Sequence, residues 1–220
     1  MTDISAFFDP VLLSLQTAAA ALVVVFIGGT AAAGFMKRRP FFGKTFVETI
    51  FLLPTVLPPT VTGFLLIVIF GNQHIIGRLL ERIFQQSLMF TWWAAVLAAA
   101  VVAFPFMYQS VKTGLQQVDE NIEHAARTDG AGEWKVFLFI SLPLSSRAVI
   151  SGVILSFTRA LGEFGATFMF AGNLPGVTRT VPIAVFTAME SNQMQLAWAW
   201  AASVVVLSFS LLFLLRKWSI

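Results

Sequence analysis

The chain has 220 residues, of which 57% are hydrophobic and 11% charged, and its mean hydropathy is +0.82. Soluble domains carry roughly a quarter charged residues, so this composition predicts a polytopic membrane protein. The sequence contains no cysteine, which excludes disulfides, thiolate metal sites and cysteine nucleophiles. The sequence pI of about 9.7 fits the lysine and arginine excess of cytoplasmic loops better than a nucleic-acid partner.

The first apolar run covers residues 11–36 and ends at a basic cluster, residues 37–39. A basic cluster directly after a span places that end in the cytoplasm and the N-terminus outside. Residues 1–10 contain Asp3 and Asp9 but no lysine or arginine. We therefore expect a retained span and not a cleaved leader.

Four further apolar runs are predicted to span the membrane, at residues 47–70, 88–109, 149–170 and 194–215. Lysines and arginines concentrate in the segments that this topology places inside, whereas the outer loops hold only Arg78, Arg82 and Arg179. This asymmetry predicts a single transmembrane domain over residues 1–220, with about five spans, the N-terminus outside and the C-terminus inside. Trp92, Trp93 and Tyr108 are expected to anchor the third span at the membrane interfaces.

No catalytic or nucleotide-binding pattern is present in the sequence. Residues 43–45 read Gly-Lys-Thr, as at the end of a phosphate-binding loop, but the required first glycine is replaced by Arg38. His74 is not accompanied by a second histidine or a carboxylate at metal-ligand spacing. We therefore predict neither an enzyme nor a metal site.

The second span is interrupted, because Pro58, Pro59, Thr60 and Gly63 lie near its middle. A broken helix is tolerated in a bilayer only where protein or a water-filled cavity satisfies the freed backbone groups. The segment is therefore either a kink packed against neighbouring helices or part of a translocation pathway.

The fourth span carries two ionisable residues, Arg159 and Glu163, beside Gly162. Charged side chains within a span are costly and usually mark functional sites. At i, i+4 spacing the two share one helix face and are predicted to pair. The pair either locks this helix to a neighbour or contacts a substrate.

The longest polar segment is the cytoplasmic loop 112–146. Residues 123–128 are mostly good helix formers and predict a short helix, which Gly130 ends. Ala125 and Ala126 would give that helix a small-residue face that another protein could approach closely.

This loop resembles the "EAA" loop of ABC importer permeases. The resemblance rests on Ala125, Ala126, Gly130, Ile140, Leu142 and Pro143 at the family's spacing. One departure is that His124 stands where the family has a glutamate, and Glu123 lies one place earlier. The resemblance implies a coupling helix that docks into a groove on a separate ATPase subunit. The implied coupling residues are Glu123, His124, Ala125, Ala126, Arg127, Asp129 and Gly130.

The resemblance can be narrowed to the permease subunits of molybdate importers. It is carried by residues 57–59, 125–132, 161–167 and 175–182. The third stretch also resembles sulfate/thiosulfate permeases, which remain the alternative, whereas the Thr-Arg-Thr-x-Pro pattern at 178–182 favours molybdate or tungstate. Within that pattern Thr178, Arg179 and Thr180 are expected to be a gate, a docking contact or an ordinary solvated loop.

The family resemblance implies an all-α type I importer fold in a prokaryotic cytoplasmic membrane. It further implies a homodimer, two copies of an ATPase that hold ATP-Mg, and an extracytoplasmic oxyanion-binding protein, with no cofactor bound by this chain. Import would then proceed by alternating access. An ATPase-independent secondary transporter is the alternative from another class, but it should show an inverted repeat or coupling carboxylates within the membrane. The sequence has no such repeat, and Glu163 has an arginine beside it.

Overall fold

The computed structural model describes residues 4–38 and 41–219, and its regular elements are all helical. The helices in chain order are α1 (Ile4–Arg38), α2 (Lys44–Val56), α3 (Pro59–Phe70), α4 (Ile75–Phe84), α5 (Trp92–Gln116), α6 (Glu120–Thr128), α7 (Glu133–Val136), a π-helical segment (Phe137–Ser141), α8 (Leu142–Leu144), α9 (Ser146–Leu161), α10 (Gly165–Ala171), α11 (Val181–Glu190) and α12 (Met194–Ser219).

Two helices of the described chain, Phe7–Lys37 and Trp92–Gln116, are each long and apolar enough to cross a membrane. Two bent pairs raise that number to four if each pair forms one span. The first joins Pro59–Phe70 to Ile75–Ile83 at 66°, and the second joins Glu133–Leu144 to Ser146–Leu161 at 78°. Neither pair coincides with a predicted span, because Ile75–Ile83 follows the predicted span 47–70 and Glu133–Leu144 lies in the predicted loop 112–146.

The predicted span 47–70, which contains prolines, and the predicted span 149–170, which contains Arg159 and Glu163, are both interrupted. In the predicted span 47–70, α2 ends at Val56 and the extended residues Leu57 and Pro58 separate it from α3. In the predicted span 149–170, α9 ends at Leu161 and α10 begins at Gly165. The prediction that Arg159 and Glu163 share one helix face is therefore wrong, because Glu163 lies in the break beyond the end of α9.

Close packing of α3 against α10 brings these two breaks together. A Cβ atom on Gly165 would lie 2.8 Å from Cβ of Pro59. A Cβ atom on Gly63 would lie 2.7 Å from Cβ of Met169 and 3.0 Å from Cα of Ala166. Small residues permit such approach between helix backbones, so both glycines are needed for this contact.

Helix α5 is the central element of the core. It packs against α1 and α9, and its alanines at 94, 95, 98, 99 and 103 are almost fully buried. Within a bilayer, packing and interhelical hydrogen bonds replace the hydrophobic effect as the force that joins helices. One such bond runs from the Ser156 hydroxyl of α9 to the Ala103 carbonyl of α5, at 3.4 Å.

The segment between the predicted spans 149–170 and 194–215 contains a helix, α11, which was not predicted from the sequence. Pro182 lies in its first turn, where proline lacks only an N–H that would be unpaired anyway. Its residues Val181, Ile183 and Ala184 are fully buried. The Val181 N–H donates to the Ser14 hydroxyl at 2.7 Å, which joins α11 to α1.

Substituting Gly63 tests the packing of the two breaks. Gly63→Ala should lower the free energy of unfolding by about 1–3 kcal/mol, because the added methyl group overlaps backbone atoms of α10. Gly28→Ala is the control, since its Cβ would be 3.7 Å from the Phe104 ring, an ordinary contact. Thermal melting of the two purified variants checks this, and equal melting temperatures would contradict the packing argument.

Candidate coupling and translocation sites

Helix α6 forms where a short helix was predicted, and it starts three residues earlier. Asp119 caps it, because the Asp119 carboxylate accepts the Asn121 N–H at 2.9 Å and so satisfies one of the unpaired N-terminal donors. At the other end the helix gives way to a turn in which Gly130 has φ +87°. Glycine adopts this left-handed conformation without steric cost.

One side of α6 faces solvent. His124 and Ala125 are exposed, Ala126 is partly exposed, and Asp129 and Gly130 are exposed just beyond the helix. These predicted coupling residues are therefore accessible, and the exposed side chain of Ile122 lies beside Ala125 and Ala126 on the helix.

The opposite side of α6 is tied to the rest of the chain through Glu123. This residue is 5% exposed. Its Oε1 accepts hydrogen bonds from the Lys37 ammonium and the Ser141 hydroxyl, each at 2.6 Å. Its Oε2 lies 3.4 Å from an Nη atom of Arg127. Glu123 therefore joins α6 to the end of α1 and to the π-helical segment.

Burial of the Glu123 carboxyl would by itself raise its pKa. The hydrogen bonds from Lys37 and Ser141, together with the charges of Lys37 and Arg127, outweigh that effect and hold the pKa of Glu123 below its ordinary value. The ionised form therefore stabilises the folded state near neutral pH. That contribution is lost as the pH falls through the lowered pKa.

Arg127 connects α6 to α7. Its Nε donates to Oε1 of Glu133 at 2.7 Å, and these contacts raise the pKa of Arg127, chiefly through the Glu133 hydrogen bond. Of the implied coupling residues, Glu123 and Arg127 thus make contacts within the chain. His124, Ala125, Ala126, Asp129 and Gly130 lie at the surface.

A cleft of about 900 Å³ lies beside this network. Its lining comes from the end of α1, from α6, from α7 and from the π-helical segment, and includes Phe35, Lys37, Glu120, His124 and Phe137. Helix α6 is consequently not packed along its whole length, although Glu123 holds it at one point.

The sequence alone does not reveal the residues that complete this network. Lys37 was assigned only to the basic cluster that sets topology, and it lies 86 positions from Glu123. Ser141 carried no signal, since one serine in an apolar run is unremarkable. Only the fold brings these side chains to Glu123.

A second polar cluster was also missed, between α2 and α5. Glu48 Oε1 accepts from the Tyr108 hydroxyl at 3.2 Å and from the Lys112 ammonium at 3.0 Å. The prediction that Tyr108 anchors the membrane interface is wrong, because the ring is fully buried and packs edge-on against Phe51. Trp93, in contrast, is 57% exposed, as an interface anchor should be.

The predicted pathway residues lie around the two helix breaks. Pro58, Pro59 and Thr60 are exposed, whereas Gly63 is buried against α10. Arg159 and Glu163 do pair, with Nη1 to Oε2 at 2.7 Å. Glu163 also accepts the Ala166 N–H at 2.8 Å.

Glu163 therefore ties the end of α9 to the start of α10 and is almost completely buried, while the Arg159 side chain is 28% exposed. Gly162 between them is exposed. The ion pair with Glu163 therefore holds the Arg159 guanidinium, which is partly exposed, at the break between α9 and α10.

The predicted outer-loop residues have different environments. The Thr178 hydroxyl is buried, accepts the Leu174 N–H at 2.9 Å and donates to the Gly172 carbonyl at 3.3 Å. Arg179 is partly exposed, and its Nε donates to the Asn173 side chain at 2.7 Å. Thr180 is buried at the N-terminus of α11. The loop is thus folded through side-chain hydrogen bonds.

Among the described residues no group of three or more histidines, aspartates and glutamates is placed to hold a metal ion. What the fold does contain is a set of broken membrane helices packed at their breaks, and an exposed helix fixed to them by a buried ion pair. Discontinuous membrane helices that meet at their breaks are typical of membrane transport proteins, and this is the class that the fold indicates.

Comparison with known proteins identifies the family. Residues 15–218 match the family described as "Binding-protein-dependent transport system inner membrane component", and the chain belongs to that family. It is accordingly a multi-pass inner-membrane permease subunit that works with an ATPase and a binding protein and is not itself an ATPase.

Two curated relatives cover most of the chain. It is 58% identical over 213 residues to the putative molybdenum transport system permease protein YvgM of Bacillus subtilis (strain 168), which covers 97% of this chain and 94% of that protein. It is 44% identical over 184 residues to the molybdenum transport system permease protein ModB of Escherichia coli (strain K12), covering 84% of this chain and 80% of that protein.

Solved structures share the fold at low sequence identity. A MetNI methionine ABC transporter in inward-facing conformations matches with a TM-score of 0.76 and 13% identity, over 100% of this chain and 98% of that chain. A bacterial ABC transporter that imports alginate matches with a TM-score of 0.78 and 12% identity, over 99% of this chain and 80% of that chain. The predicted ABC importer permease fold is thereby confirmed.

The Arg159–Glu163 pair gives a prediction about paired charges. Removing one partner of a buried pair costs about 3–5 kcal/mol because the other charge stays uncompensated, whereas replacing both is often nearly neutral. Glu163→Leu should therefore reduce assembly and thermal stability more than the double variant Arg159→Leu/Glu163→Leu. Purification yield and melting temperature measure this. If Glu163→Leu and the double variant both behave like the wild type, the pair has no such role.

Proposed function

We propose that this chain is the permease subunit of an ATP-driven ABC importer for molybdate, with tungstate as a second substrate of the same geometry. The observation that carries the proposal is the 58% identity to the Bacillus subtilis molybdenum permease protein across 97% of the chain. The Escherichia coli relative at 44% identity is also named for molybdenum transport. Sulfate or thiosulfate is the alternative, because they are also tetrahedral oxyanions and the block 161–167 resembles their permeases.

Two copies of the chain would form the membrane unit, with the N-terminus outside and the C-terminus in the cytoplasm. Two ATPase subunits that hold ATP-Mg would bind on the cytoplasmic side, and an oxyanion-binding protein would bind on the outside. The basic cluster after α1 and the lysines and arginines of the loop 112–146 support this orientation. The residues of this chain then supply binding surfaces and moving elements, and no chemical step.

Coupling is proposed to occur at the exposed side of α6. Ala125 and Ala126 are small enough for a groove on the ATPase to approach the α6 backbone closely, and His124 and Asp129 border the contact. When the ATPase subunits close, α6 would move with them and change the packing of the spans. The oxyanion would thus be exposed to the outside and the inside in turn.

The pathway is proposed to run along the two packed helix breaks. Thr60 and Arg159 offer a hydroxyl and a guanidinium that can donate to an oxyanion, and both are accessible. Gly63 and Gly162 place no side chain at the two breaks. On the outside, Arg179 and its neighbours Thr178 and Thr180 would form a gate or a contact for the binding protein, and the half-exposed guanidinium is the part suited to it.

Uptake by the reconstituted complex tests the proposed substrate and the need for ATP together. Radiolabelled molybdate should enter vesicles only when the permease, the ATPase, the binding protein and internal ATP are all present. Tungstate should compete at similar concentrations, because the two ions have the same charge and shape. If sulfate competes equally well, the alternative substrate is correct. If uptake continues without the ATPase, the protein is a secondary transporter.

A pair of glycine substitutions tests the role of the turn after α6. Gly130 has φ +87° and Gly132 has φ −68°, and a Cβ added to either meets no atom within 4 Å. Gly130→Val should therefore misdirect α6, since a β-branched residue resists positive φ, while Gly132→Val fits its backbone.

Transport-linked ATP hydrolysis should fall about tenfold in Gly130→Val, within the usual range of coupling energies. It should stay near the wild-type rate in Gly132→Val. The measurement is hydrolysis stimulated by loaded binding protein, and equal rates in the two variants would contradict the coupling role of α6.

A further inference from the structure

The cytoplasmic loop contains one strongly buried carboxylate, that of Glu123, and its contacts connect three separate elements. We propose that Glu123 is a positioning residue that fixes α6 to the end of α1 and to the segment leading into α9, so that these elements move as one body. This inference rests on the proposed coupling function and assigns Glu123 a role that does not involve touching the ATPase.

The direction of the Glu123 side chain supports this role. Residues of an α-helix advance by about 100° each, so Ala125 lies about 200° around α6 from Glu123. Arg127, four residues on, lies on the same side as Glu123 and contacts it at 3.4 Å. The side that carries Glu123 and Arg127 faces the permease, and the side that carries Ala125 remains free for docking.

Glu123 is held by two donors from distant parts of the chain. The Lys37 ammonium belongs to the last turns of α1, and the Ser141 hydroxyl ends the π-helical segment. Both donate to the same carboxylate oxygen at 2.6 Å. Charge-assisted hydrogen bonds of this length are roughly twice as strong as neutral ones. A single oxygen atom therefore fixes the relative position of three elements.

The end of α1 also packs directly against the π-helical segment. A Cβ atom on Gly34 would lie 2.6 Å from the ring of Phe137, so the Phe137 side chain packs directly on the α1 backbone at a position where only glycine leaves room. Glu123 thus docks α6 onto two elements that already form one packed unit. A force on α6 would move that unit and not α6 alone.

The same unit leads to the translocation pathway. Three residues after Ser141 the helix ends at Leu144, and the chain bends by 78° into α9. The Ser145 hydroxyl at this bend donates to the Ser141 carbonyl at 2.7 Å. Helix α9 then carries Arg159 at its other end. The contacts from Glu123 to Ser141 and through Ser145 to α9 form a continuous path from the coupling helix to the pathway arginine.

Glu123→Gln and its control Glu120→Gln test the proposal in the complete complex of permease, ATPase and binding protein. Glu120 is exposed on the same helix and lines the same cleft, so its replacement removes an equal charge and leaves the hydrogen bonds from Lys37 and Ser141 to Glu123 in place. Glu120→Gln should retain bound ATPase and basal ATP hydrolysis to within about twofold, as surface changes usually do. Glu123→Gln should still bind the ATPase, because the docking side of α6 keeps its side chains. Molybdate uptake per ATP hydrolysed should fall about tenfold in Glu123→Gln alone, a typical coupling effect.

Ser141→Ala is the second variant, because it removes one donor and leaves the carboxylate and the Lys37 contact in place. It should reduce uptake per ATP in the same direction as Glu123→Gln. If Ser141→Ala and Glu123→Gln both transport with the wild-type ratio of uptake to hydrolysis, Glu123 is not a positioning residue.

A distance measurement separates positioning from general destabilisation. Spin labels at Phe35 of α1 and Thr128 of α6, both exposed, should give one narrow distance that is the same without nucleotide and with vanadate-trapped nucleotide. Glu123→Gln should broaden the distribution, and Glu120→Gln should leave it narrow. A wild-type distance that changes on trapping, or a narrow distribution in Glu123→Gln, would overturn the proposal.

If the proposed function, ATP-driven import of molybdate, is wrong, the experiment gives a different result. In that case the wild-type complex itself would show no molybdate uptake linked to ATP hydrolysis, whatever the spin-label distances are.

Discussion

The contact between Glu123 and its two donors, Lys37 and Ser141, is the interaction on which the position of α6 depends. Helix α6 is only nine residues long, and an isolated helix of that length is marginal in water. It also borders an open cleft, so little apolar packing holds it. A buried carboxylate that is fully hydrogen-bonded gives it a defined position, while leaving its other side open to a partner.

The membrane half is organised by close backbone contact instead of charge. Alanines of α5 allow α1 and α9 to approach it, and Gly63 and Gly165 allow the broken helices to meet at their breaks. Packing of this kind has little freedom to deform gradually and tends to change between discrete arrangements. A rigid core beside interrupted helices is therefore suited to alternating access, because movement can be confined to the breaks.

The sequence did not predict the break between α9 and α10. It was sufficient to predict the all-helical membrane fold, the interruption of the span 47–70 and the short helix α6. Each of these depends on local composition, such as Pro58-Pro59, or on a motif at fixed spacing, such as Ala125 to Gly130. It could not show that Glu123 turns inward, because its partners Lys37 and Ser141 are brought close only by the fold. It also missed α11, since the polar turn residues 173–180 masked the apolar residues that follow. Tyr108 was misplaced because an aromatic residue near a span end is usually an interface anchor, whereas here Glu48 provides a buried partner.

The central claim is that one side of α6 binds the ATPase and the other side is already bound to the permease. Amide hydrogen exchange of the permease, measured alone and with the ATPase, tests this most directly. The account predicts that exchange in Glu120–Thr128 slows when the ATPase is added, because the exposed face becomes covered. Exchange around Ser141 should be slow in both samples, since that segment is packed before the ATPase binds. Unchanged exchange in α6, or slow exchange around Ser141 only after the ATPase is added, would contradict the account.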